Sequence, residues 1–286
     1  MKRRQTRAAI RREATVGLSQ RALVAAILTA ALLVAAATPA GAKILKTKRP
    51  GQYSELALTV GSGFEYETDS EESEYGFPFL IEYGFTKMLK LSVEPSYILV
   101  RRQDGGSIRG PGDLETTLTC EFPTERRYRP GLALEGVVKW PTARRGDLGT
   151  GEADYSLGAI VSKEFVRFDL DLNAVYTFVG SPPGVNLDNT FEASLAVEWQ
   201  LTPALGIEVE AVTAAGAGGR FRGHSGSLGG FGNLGGPEQG QSESEFTLGL
   251  ARHLSERLKL EGGTILKSDG SWQAVAGWEF DFGEGK

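Results

Sequence analysis

The residues able to do chemistry are few in type, except for one class. The chain of 286 residues carries two histidines, one cysteine and 36 acidic side chains. A Ser-His-Asp unit needs its members within hydrogen-bond reach. His224 lies in a glycine-rich connection and His253 at the far end of an alternating run, so the elements laid out below put them at opposite rims. Cys120, between Leu118 and Phe122 on an apolar phase, reads as a small hydrophobe. A lone cysteine also excludes an intramolecular disulfide and a cysteine zinc site. Asp69, Glu71, Glu72 and Glu74 offer oxygens to a cation, but such a run usually forms a solvated acidic loop. Gly230-Phe231-Gly232-Asn233-Leu234-Gly235 fits G-x-G-x-x-G in spacing without joining a strand to a helix, which the nucleotide motif requires. No catalytic residue, cofactor or metal is expected. What stands out instead is carboxylates at alternate positions, as in Asp169 and Asp171 or Glu208 and Glu210.

That spacing belongs to strands. From Tyr53 onward apolar residues recur with period two, and no window of 12 residues fits the helical template better. Twelve runs follow, at about 53–67, 75–86, 89–101, 113–123, 131–141, 152–163, 165–179, 189–201, 204–214, 243–253, 257–267 and 271–282. In the seventh, Phe168, Leu170, Leu172, Ala174, Tyr176 and Phe178 share one face, with Arg167, Asp169, Asp171 and Asn173 on the other. A sandwich would alternate in the same way, but the connections separate the two folds. Long loops rich in Gly, Ser, Asp and Arg alternate with tight turns, as in an up-and-down transmembrane barrel. Aromatic residues gather near strand ends on the apolar phase, where interfacial girdles form. The expected fold is therefore all-β, an antiparallel up-and-down transmembrane β-barrel of about 12 strands.

The first 42 residues read as a secretory signal peptide. Seven bases and one acid occupy residues 1–21, Ala22 to Ala37 is apolar apart from Thr29, and Ala40-Gly41-Ala42 supplies the small residues read at cleavage. The remaining organisation is a periplasmic N-terminal segment at 43–52, the barrel at 53–282 and a C-terminal extension at 283–286. Without the leader, 31 bases and 36 acids become 24 and 35, a balance of −11. That surface repels nucleic acid, whose binding needs clustered Lys and Arg. The expected location is the outer membrane. The expected partners are outer-membrane lipid, a small-molecule solute and the barrel-insertion machinery; the oligomeric state stays open.

If the apolar phase faces lipid, the opposite phase lines a lumen. It carries Glu94, Glu115, Glu121, Glu135, Asp169, Asp171, Glu192, Glu198, Glu208, Glu210, Glu261 and Glu279 against Lys90, Lys139, Arg167 and Lys259. So many carboxylates call for water or for cations beside them. A wet, acidic pore would favour cations and neutral solutes. The other reading is a plugged, non-conducting scaffold or adhesive barrel, with loop residues closing the mouth: Arg144 and Arg145 in one loop, and Arg220, Phe221, Arg222 and Phe231 in the long glycine-rich one.

Several short stretches resemble one family. They are Gly112-Asp113-Leu114-Glu115, Arg129-Pro130-Gly131-Leu132-Ala133-Leu134, Val138-Lys139-Trp140-Pro141-Thr142, Gly149-Thr150-Gly151, Asp154-Tyr155-Ser156-Leu157-Gly158 and Ser162-Lys163. The family is the outer-membrane "transporter" proteins associated with the meta-cleavage pathway of phenol degradation. The resemblance implies an outer-membrane barrel without a cofactor that assists uptake of aromatic or other small organic compounds. It carries over no catalytic residue. The chain departs from usual barrel endings, because Phe280 and Phe282 are followed by Gly283-Glu284-Gly285-Lys286.

Overall fold

The computed structural model describes residues 45–48, 56–68, 72–122, 125–145, 148–184, 187–216 and 242–282. Its strands are β1 (Leu58–Thr68), β2 (Glu72–Gly84), β3 (Leu89–Glu94), β4 (Ser96–Arg102), β5 (Ser107–Pro111), β6 (Leu114–Phe122) and β7 (Gly131–Trp140), followed by β8 (Asp154–Glu164), β9 (Phe168–Phe178), β10 (Thr190–Thr202), β11 (Leu205–Gly216), β12 (Ser242–His253), β13 (Leu258–Lys267) and β14 (Trp272–Asp281). Every pairing is antiparallel. From β6 to β14 each strand pairs with its chain neighbours, β2 pairs with both β3 and β4, which pair in turn with β6 and β5, and β1 closes the cylinder by pairing with both β2 and β14.

The 14 segments make 12 staves. Both β3 and β4 lie along the same side of β2, separated only at Pro95, which has no N–H to give but accepts from the N–H of Phe79 (2.9 Å). Opposite them, β5 and β6 form one stave interrupted at Gly112-Asp113, where the pairing register slips by one residue. Such a bulge re-aims a side chain; here it turns Asp113 inward, where it is buried. The fourth stave is longer than its alternating run, because Ser107–Pro111 pairs with β4 in what reads as loop sequence. Gly105, at φ 91°, closes this hairpin in the left-handed conformation that glycine adopts without strain.

Burial is inverted relative to a soluble protein. Leu157 is 64% exposed and Leu134 53%, whereas Glu208 and Glu210 are 0%. Most large apolar side chains point out of the cylinder and most carboxylates into it, as a barrel in lipid requires. Aromatic pairs mark both rims. Tyr66 packs on Tyr75 and Trp272 at the long-loop rim, and Phe165–Phe168 and Phe280–Phe282 pack at the short-turn rim. Cys120 takes the outward phase of β6 and is a half-buried free thiol. No helix among the described residues is long and apolar enough to cross a membrane.

Candidate functional site

The inward side chains follow from the pleat: alternate residues of a strand face opposite sides. Lys90, Glu94, Glu115, Glu121, Glu135, Lys139, Asp169, Asp171, Glu192, Glu198, Glu208, Glu210 and Glu261 are all buried. Lys259 and Glu279 face one another across β13 and β14 and are half-buried. Arg167 is a correction. The chain leaves β8 at Glu164 and turns through Phe165–Arg167, so this side chain is exposed on the short-turn rim, where its carbonyl accepts from Gln200 N–H (2.9 Å). His253 is exposed at that same rim, and His224 lies outside the described residues.

The strand lysines are each held by carboxylates. Lys90 Nζ lies 3.3 Å from Glu82 and 3.6 Å from Glu121. Lys139 pairs with Asp154, and Lys259 pairs with Glu261 and with Glu208 at 3.1 Å. Buried carboxylates need such partners, since an unpaired buried charge costs several kcal/mol.

Further cations come from an unexpected place. The stretch 43–52 reads as a periplasmic segment, yet its described part, residues 45–48, lies inside the barrel. Lys46 Nζ pairs with Glu245 at 2.5 Å and Lys48 Nζ with Glu135 at 3.0 Å. The backbone is held as closely. Thr47 N–H donates to Glu210 Oε1 (2.6 Å) and Lys46 N–H to Glu210 Oε2 (3.2 Å). Thr47 Oγ1 donates to Glu210 Oε1 (2.5 Å) and lies 2.8 Å from Ser194 Oγ. With its amide turned to satisfy both polar atoms, Asn173 accepts from Lys48 N–H (2.7 Å) and donates to Lys48 C=O (3.2 Å). Leu45 and Thr47 are both buried. The physical reason for the correction is charge: a basic stretch lies beside an interior dominated by acids. The anchors span β7, β9, β10, β11 and β12, with Glu245 near the long-loop end of β12 and Glu210 and Glu135 midway along theirs.

Burial alone would lower both ammonium pKa values. Glu245, Glu192 and Glu210 around Lys46, and Glu135, Glu94 and Glu115 around Lys48, outweigh it and hold both above the ordinary lysine value. Both lysines therefore stay charged.

A second element enters from the long-loop rim. Leu148 is 1% exposed and packs against Ile98 and Val100, with Ile108 and Ala143 beside them. Asp113 Oδ1 accepts from Ala143 N–H (2.9 Å), and Leu114 N–H donates to Thr142 Oγ1 (2.8 Å), tying the loop to the bulge. Arg144 and Arg145, expected among the residues that close the mouth, are exposed instead. It is the apolar member of that loop that folds inward. Arg220, Phe221, Arg222 and Phe231 lie outside the described residues. No cluster of metal-ligating side chains occurs among the described residues.

The fold is shared with a solved porin. The NanC porin matches with TM-score 0.52 and 10% identity, over 78% of this chain and 98% of that one. The KdgM porin in complex with disordered oligogalacturonate follows at TM-score 0.48 and 10% identity, covering 78% and 99%. The CymD monoaromatic hydrocarbon channel gives 0.44 and 9%, covering 80% and 89%. No protein-family model matches the chain, and no curated protein does.

Proposed function

We propose that this chain is a passive outer-membrane channel for small organic solutes, narrowed at rest by its own N-terminal segment and by Leu148. The observation that carries this reading is the inverted, closed cylinder with an apolar belt outside and carboxylates inside. A water-exposed scaffold gains nothing from an apolar exterior, and an apolar solute path would not need buried acids. The NanC likeness supports the fold, and the resemblance of residues 110–165 to phenol-pathway transporters supports small organic compounds, aromatic ones included, as the solute class. This reading assigns the chain no chemistry on its solute: Lys90, Lys139 and Lys259 each hold inward acids, and His253 is exposed on the short-turn rim.

The occupied interior favours a second reading, a closed scaffold. Planar-bilayer recording of the purified chain in a salt gradient decides between them. A channel gives discrete openings and a cation-selective reversal potential, increasing when Lys46 and Lys48 are replaced by Met. Silence from inserted, heat-modifiable barrels, before and after these substitutions, would establish the scaffold.

A further inference from the structure

The bonds that hold residues 46–48 read more than charge. Glu210 receives two consecutive backbone N–H groups, one on each carboxylate oxygen, and Asn173 takes both the N–H and the C=O of Lys48. Those contacts recognise a peptide backbone, which no simple cation provides. Around them, Glu245 and Glu135 receive the two ammonium groups, and Ser194 meets the hydroxyl of the residue between. Glu115, whose side chain acts on the Lys48 ammonium, is 3% exposed, and its Oε1 has no hydrogen-bond partner among the described residues. The site therefore has a further buried acceptor beside one of its two ammonium positions.

We propose that the wall formed by β7 to β12 is a binding site for short basic peptides of the Lys-x-Lys type, which residues 46–48 occupy as a tethered competitor. The inference narrows the solute class of the channel reading and depends on that reading only for the route by which a peptide enters. A tethered segment competes at a high effective concentration, on the order of millimolar for a short flexible link. A free peptide therefore binds the unsubstituted chain weakly and gains when the segment is disabled.

The test is isothermal titration of the detergent-purified full chain with acetyl-Lys-Thr-Lys-amide, before and after Lys46→Met with Lys48→Met. The expected result is at least a tenfold gain in affinity for the double variant, lost again when Glu210→Gln is added. Spermidine, which has the ammonium groups without the peptide N–H groups, is expected to bind at least tenfold more weakly than the peptide. Should the double variant fail to insert, Thr47→Pro removes the N–H given to Glu210, keeps both charges and is expected to raise peptide affinity in the same direction. Equal affinity before and after disabling the segment, or spermidine matching the peptide, overturns the proposal. Titration does not depend on current, so binding in a silent barrel would defeat the channel and leave the site standing.

Discussion

Two elements enter the barrel, and they are held by opposite physics. Residues 45–48 sit among carboxylates, with Glu210, Glu245 and Glu135 as their anchors. Leu148 sits in an apolar cluster with Ile98 and Val100 near the long-loop rim. The first contact is directional, since each bond needs its particular partner, and removing one partner strands the other in a buried place. The second is non-directional and scales with the area it buries. It follows that the N-terminal segment can be displaced by a ligand offering the same donors, whereas the loop responds only to changes in packing. A barrel with both has one closure open to chemical competition and one set by shape.

The largest effect expected from breaking this contrast is on the segment. Glu210→Gln weakens the N–H bonds from Lys46 and Thr47 together, besides one from Thr247 Oγ1, and the loss of about 3 kcal/mol typical of a broken buried charged contact lowers occupancy on the order of 100-fold. Modification of a cysteine placed at position 47, in a chain carrying Cys120→Ser, would measure it as faster labelling by a water-soluble maleimide. Trypsin susceptibility at the exposed Arg144 and Arg145 should not change with Glu210→Gln. Leu148→Ala is expected to do the reverse. A buried leucine truncated to alanine costs about 2–4 kcal/mol where the site does not collapse, so cleavage at Arg144 and Arg145 should rise by more than tenfold while labelling at position 47 stays the same. Equal movement of both readouts in either variant would show that the two closures are one.

Smaller effects sharpen the comparison. Asp113→Asn weakens one charge-assisted bond to Ala143 N–H, worth roughly 1–2 kcal/mol, and should loosen the loop less than Leu148→Ala does, by the same proteolysis. The smallest effect is that of pH. Because Lys46 and Lys48 have raised pKa values when seated, the segment's stabilisation is complete below their ordinary value of 10.5 and is lost only as pH rises through the raised ones. Labelling at position 47 should therefore be flat from neutrality up to about pH 10, once corrected for the reactivity of the thiol itself.

How far each element could be read from residues alone follows from periodicity. The staves were legible because period two persists over about ten residues in each, and the same phase that sends Leu157 outward sends Glu135 and Glu210 inward. Ser107–Pro111 was not, since Gly110 and Pro111 look like loop, and only pairing with β4 extends the strand. Arg167 was misplaced because the alternation of β9, carried back before Phe168, puts it inward, while the chain there is still in the turn that follows β8. Leu148 has no periodic neighbour to reveal it. The N-terminal segment gives no pattern either, and its position after the stretch that reads as a leader makes it resemble a trailing linker. Its one signal is sign, with Lys46 and Lys48 placed on a chain whose inward phase is acidic.

That residues 45–48 occupy this barrel is tested most directly by bridging Lys48→Cys and Glu135→Cys with a short bis-maleimide, which spans the length that the paired lysine and glutamate side chains span, in a Cys120→Ser chain in intact outer membranes. The expected result is an intramolecular crosslink, identified by mass spectrometry of the linked peptides, and none when Lys48→Cys is paired with Arg252→Cys at the short-turn end of β12. Separate modification of positions 48 and 135, each by its own reagent molecule with no link between them, would contradict it.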